Sequence, residues 1–125
     1  MIEDHAPEKH INSFRFALKG LLHAFTTERN FRLQTILGTI AIVLAHFLSF
    51  DRFEWIVLLL TIGMILAAEI ANTILETLVD LTTPNLHPKA RIAKDLSAAA
   101  VLIIAFFALI IGLLLFIPHL QNLFS

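Results

Sequence analysis

Twelve residues carry most of the chemistry available to this chain: Glu69-Ile-Ala-Asn-Thr-Ile-Leu-Glu-Thr-Leu-Val-Asp80, set inside a run that is otherwise apolar enough to cross a bilayer. At about 100° per residue, Glu69, Asn72, Thr73, Glu76 and Asp80 fall on one face of a helix. Ionisable groups in hydrocarbon are costly, by about 2.5–3.5 kcal/mol each on insertion scales. A stripe of them therefore predicts a polar site lined by protein. Packing between helices would explain Asn72 or Thr73 alone, but it is a poor account of two glutamates two turns apart.

Depth divides the stripe. Counting about 1.5 Å per residue from Trp55, Glu69 lies about 21 Å along the helix and Glu76 about 31 Å, so the stripe starts past the bilayer middle and climbs to one surface. Glu69, the deepest, suits a general base for a lipid hydroxyl. Glu76 is about 10.5 Å closer to water and could hold a hard cation together with Glu28. Mg²⁺ takes one or two carboxylates plus substrate phosphates, so two glutamates suffice. Lys94 and other cytoplasmic bases could neutralise phosphates. Positioning, a metal, cationic clamps and a proton-accepting carboxylate are the parts of phosphoryl transfer. The four glycines, Gly20, Gly38, Gly63 and Gly112, are too scattered for a P-loop or a kinase glycine-rich loop. Three classes fit these residues: a lipid-modifying enzyme, a small ion or proton carrier, and an accessory membrane subunit.

The elements that must position the stripe follow from composition and periodicity. Of 125 residues 58% are hydrophobic and only 15% charged, against about 25% in soluble domains, which indicates one small integral membrane domain. A net charge of −1 gives no case for nucleic acid, and the lack of cysteine excludes disulfides and thiolate metal sites. The polar start, MIEDHAPEKH, does not match a cleavable signal and reads as a frayed tail ended by Pro7. From about residue 9 to 27, Phe14, Ala17, Leu18, Leu21, Leu22 and Phe25 form one apolar face opposite Arg15 and Lys19, which predicts an amphipathic helix lying in the interface. Three spans follow, at about 31–50, 55–80 and 94–117, with the third ended by Pro118. SFDRFEW is read as a turn with interfacial Trp55, and 81–93, with Pro84 and Pro88, as a loop. Glu28, at the joint of surface helix and first span, would by spacing alone be a solvated charge. Gln34 and His46 are the polar members of the first span; His46 is read as an interfacial hydrogen-bonder.

Eight of the nine Lys and Arg residues lie before or at the start of the first span, or between the second span and the start of the third. The positive-inside rule then puts the N-terminus and the 81–95 segment in the cytoplasm and the C-terminus outside. The polar half of span two, Lys94, Asp95, the surface helix and Glu28 all meet at that cytoplasmic face.

Glu28-Arg-Asn-Phe31, the pattern from Glu69 through Asn72 and Glu76 to Asp80, and Ala93-Lys-Asp95 with Ala98 to Val101 resemble the small prokaryotic diacylglycerol kinase family over nearly the whole chain. The resemblance implies a homotrimer of three-span subunits in the bacterial cytoplasmic membrane, phosphorylating a lipid alcohol with ATP and Mg²⁺ or another divalent cation. It makes Glu69 the general base and Glu28 and Glu76 the metal ligands. ATP would be contacted by Asn72, His87, Lys94 and Asp95, with Lys19 and the Phe16 ring near the nucleotide and Glu28 and Glu76 reaching it through the metal. Phe16 stands where some members carry Tyr, so no hydroxyl contact is expected there. Thr27-Glu-Arg-Asn-Phe31 and His87-Pro88 look like the undecaprenol kinase branch, which places Asn30 and Phe31 beside Glu69 at the lipid. Diacylglycerol is the alternative acceptor.

Overall fold

The computed structural model describes residues 7–83, 85 and 87–125, with side chains from residue 12 onward. Most of the polar tail, through residue 6, lies outside the described residues, as do Pro84 and Leu86 of the connecting loop. The described chain is all helical: α1 (Pro7–Thr27), α2 (Arg29–Phe47), α3 (Arg52–Thr82) and α4 (Pro88–Leu123). The last three are long and apolar enough to cross a membrane. α3 packs chiefly on α4 and secondarily on α2, while α1 contacts α2.

A sharp corner at Glu28 separates α1 from α2. The last carbonyls of a helix lack internal partners, and here Arg32 reaches back, its Nη1 donating to Phe25 O and Thr26 O at 3.0 Å each. The Thr26 and Thr27 hydroxyls both donate to His23 O. Glu28 itself is extended (φ −106°, ψ 109°) and forms the N-cap of α2. The corner thus holds the Glu28 side chain at the junction expected from the sequence.

α2 ends four residues before α3 begins. Ser49 adopts φ 59°, Ser49 N–H donates to His46 O at 3.2 Å and Phe50 N–H to Ala45 O at 3.1 Å. This is a Schellman C-cap with serine in the position that usually holds glycine. Its companion hydrophobic contact is present, because Phe50 and Ala45 are both buried in a cluster with Leu58, flanked by Trp55, Ile62, Leu115 and Phe116. Asp51 and Glu54 then form a capping box for α3, with reciprocal bonds of 2.8 and 2.9 Å. α2 and α3 approach closely at Gly38, where a Cβ would meet Ile62 Cγ2 at 3.0 Å.

Two proline positions differ from the sequence expectation. Pro88 opens α4 instead of marking a loop, so only residues 83–87 connect α3 to α4. The fixed φ of proline suits the first helical position, where its missing N–H is no loss, and His87 caps the end by accepting Lys89 N–H on Nδ1 at 3.1 Å. Pro118 does not end α4, which continues to Leu123. Proline forfeits one helical hydrogen bond, but the turn beyond it is fixed by tertiary contacts. His119 Nε2 lies 2.8 and 3.0 Å from the two Glu54 oxygens, and its ring stacks on Phe50 at 4.9 Å.

Candidate active site

The polar stripe of α3 sits where three elements meet: the α1–α2 corner, the second half of α3 and the first turns of α4. Glu69 is its buried member, only 6% exposed and the one charged residue in the buried set among the described residues. Its backbone carbonyl accepts from the Thr73 hydroxyl at 3.1 Å. Among the described residues its carboxylate accepts no hydrogen bond. An acceptor of this kind, screened from water and free of local donors, is equipped to take a proton from an incoming hydroxyl.

The carboxylates around it are oriented by partners. Thr73 Oγ1 donates to Glu28 Oε1 at 2.9 Å, which ties the α1–α2 corner to α3 across 45 residues of sequence. Asn72 Nδ2 donates to Glu76 Oε1 at 2.7 Å, one helical turn further along. That bond fixes the amide and turns Asn72 Oδ1 inward, where it is buried without any partner. A buried acceptor left unsatisfied costs about 1–3 kcal/mol. The unpaired oxygen and the Glu76 carboxylate bonded to the same amide are both oxygen donors of the kind a hard cation takes. No three His, Asp or Glu side chains converge among the described residues, so a cation held here would draw its remaining ligands from substrate or water.

Further toward the loop, α3 and α4 enclose an open cavity of about 330 Å³. Asn72, Glu76 and Asp80 line it from α3, His87 from the loop, and Arg91, Lys94 and Asp95 from α4. The residues on each helix recur at three- and four-residue intervals, so each contributes one face. Lys94 Nζ donates to Asp80 Oδ1 at 2.6 Å and closes the cavity's wall. Because His87 Nδ1 accepts the Lys89 N–H, the proton of a neutral ring resides on Nε2, leaving that edge a donor.

Of the residues singled out from the sequence, the fold brings Asn72, Glu76, His87, Lys94 and Asp95 to this one cavity, and Glu28 to Thr73 beside Glu69. Phe16 and Lys19 lie on exposed α1, with the ammonium 5.6 Å from the ring centroid, and neither lines the cavity. Phe31 is buried, and Asn30 is exposed at the start of α2. A second, apolar groove of about 700 Å³ separates α1 from α3 and includes Ala17, Gly20, Ala24, Ile70 and Thr73. Sequence reasoning missed Arg91, although its spacing from Lys94 and Asp95 puts all three on one face of α4.

Residues 15–116 match the family model described as prokaryotic diacylglycerol kinase. The chain is 43% identical over 112 residues to a diacylglycerol kinase of Synechocystis, covering 89% of this chain but 64% of that protein. It is 36% identical over 120 residues to the undecaprenol kinase of Bacillus subtilis, covering 94% of this chain and 98% of the relative. A diacylglycerol kinase of Escherichia coli is 30% identical over 109 residues, covering 87% and 89%. Spanning helices, a buried carboxylate and these relatives define the class, a membrane lipid kinase that uses ATP. The chain belongs to the prokaryotic diacylglycerol kinase family.

Proposed function

We propose that this protein transfers the γ-phosphate of MgATP to undecaprenol, producing undecaprenyl phosphate. The observation that carries the reading is the burial of Glu69 within the bundle, one helical turn from the Glu28–Thr73 contact and two from Glu76. The acceptor hydroxyl approaches Glu69 from the hydrocarbon side, and the carboxylate takes its proton as the oxygen attacks the γ-phosphorus and the bond to the departing ADP breaks. Nucleotide occupies the cavity between α3 and α4, with Lys94 beside its phosphates, His87 Nε2 and Asn72 as polar contacts, and Asp95 at its wall. Glu28 and Glu76, joined by Asn72 Oδ1, would hold a divalent cation, which when bound offsets phosphate charge and orients the transferred group. Phe16 and Lys19 of α1 line no part of this cavity and receive no nucleotide contact within the subunit, while Asn30 and Phe31 shape the lipid side.

Undecaprenol is favoured by the Thr27–Phe31 and His87–Pro88 segments and by the end-to-end match to the Bacillus undecaprenol kinase. Diacylglycerol is the second reading, supported by the higher identity to the Synechocystis relative. A homotrimer suits the structure physically. Thin three-span subunits leave Asn72 half-buried and Glu76 exposed, and polar groups at membrane depth need protein or a water-filled cavity around them. The charge distribution supports a cytoplasmic position for α1 and the 83–87 loop at a bacterial cell membrane.

Purified protein in mixed micelles with γ-³²P-labelled ATP, undecaprenol and diacylglycerol tests the reading directly. Label is expected in undecaprenyl phosphate. Preferential label in phosphatidic acid would establish the second reading, and ion flux without any labelled lipid would point to a carrier.

A further inference from the structure

The cavity between α3 and α4 is electrostatically unbalanced in a way that singles out one residue. Three carboxylates line it, Glu76, Asp80 and Asp95, against two permanent cations, Arg91 and Lys94. Lys94 is already engaged, with Nζ 2.6 Å from Asp80 Oδ1 and its side chain 36% exposed. Arg91 is different. Its contact with Asp95 is long, 3.6 Å from Nε to Oδ1, and both side chains are about 70% exposed (69% and 70%). An exposed i,i+4 pair of this kind holds its partners only weakly. Among the described residues the two Nη groups of Arg91 donate no hydrogen bond. Arg91 is therefore the uncommitted cation of the cavity, and it carries the planar fork that matches two phosphate oxygens at once.

We infer that Arg91 is a phosphate-binding residue of this site, its guanidinium leaving Asp95 to grip the polyphosphate of the bound nucleotide. Lys94 supplies a fixed charge held in place by Asp80, and Arg91 supplies the mobile, directional contact. With Glu76 assigned to the divalent cation, a polyphosphate without Arg91 would still face Asp80 and Asp95 with a single lysine that Asp80 already engages. The inference deepens the proposed nucleotide site and rests on that assignment.

The test is equilibrium binding of MgATP and of adenosine to the detergent-solubilised protein, run beside the lipid kinase assay. Arg91→Ala is expected to weaken MgATP binding about 10- to 100-fold, the effect of losing a charge-assisted bidentate contact. Adenosine binding should not change, Arg91→Lys should recover part of the loss, and KM for ATP should rise while KM for the lipid stays constant. Wild-type MgATP affinity in Arg91→Ala would overturn the inference. So would equal weakening of MgATP and adenosine, which marks a collapsed cavity instead of a lost phosphate contact. Binding also separates the two hypotheses: if the wild type binds MgATP but phosphorylates neither lipid, the acceptor assignment falls and Arg91 is still judged by its effect on affinity. If the wild type binds no MgATP, both fall together.

Discussion

At the scale of single residues, the site depends on oxygen atoms whose positions are set by their neighbours. Glu69 is the proposed base because it is buried and, among the described residues, its carboxylate accepts no hydrogen bond, so Glu69→Gln should insert and fold while losing about 10²- to 10⁴-fold in turnover. Near-normal labelling of lipid by that variant would remove Glu69 from the mechanism. Glu28 and Glu76 are held by Thr73 and Asn72 respectively. Glu28→Gln or Glu76→Gln should raise the Mg²⁺ concentration for half-maximal rate, and a superimposable Mg²⁺ curve would exclude that carboxylate as a ligand. The α3 stripe could be read from the sequence because residues on one helix share a face by arithmetic. The Thr73–Glu28 bond could not, since it depends on the angle at which Arg32 and the two threonines turn α1 into α2. Arg91 escaped notice for a related reason: an exposed arginine beside an aspartate looks like an ordinary surface pair until the facing wall of α3 is known.

At the scale of elements, uninterrupted apolar runs located all three long helices, but their ends were harder to place. Proline chemistry predicts breaks at 88 and 118, yet one begins a helix and the other is passed over. Proline marks a missing N–H, and whether that ends a helix depends on what else fixes the turn: a cap at His87, or the His119–Glu54 pair. The α2–α3 link gives a direct test of local backbone energetics. Ser49 has φ 59°, a conformation that costs an L-residue about 1–2 kcal/mol. Ser49→Gly should show no loss of thermal stability in detergent. Ser49→Val, whose β-branch crowds that conformation, should lose about 1–2 kcal/mol. Equal melting temperatures for all three proteins would contradict the left-handed assignment of this residue.

At the scale of the whole molecule, α3 and α4 are joined at both ends by polar contacts, His119–Glu54 at one and Lys94–Asp80 at the other. Between them the outward apolar surface is extensive. Leu60, Leu102, Phe106 and Leu114 are all more than half exposed, and α4 has no fully buried residue. In a bilayer those faces meet lipid or further copies of the chain. Neither arrangement is encoded in the periodicity of one sequence, because a face turned to lipid and a face turned to another span are equally apolar.

The burial of Glu69 has a consequence for how the reaction would be measured. The proposed base is enclosed by helices and cannot travel to a dissolved substrate, so the alcohol would arrive by diffusing sideways within the membrane. Concentration then has two dimensions. At fixed total protein and lipid alcohol, diluting the alcohol with inert phospholipid or detergent should slow phosphorylation in proportion to its mole fraction below saturation. Diluting the whole suspension with buffer that holds MgATP constant should leave the turnover per enzyme unchanged. A rate that instead followed bulk volume would mean that the acceptor reaches Glu69 from water.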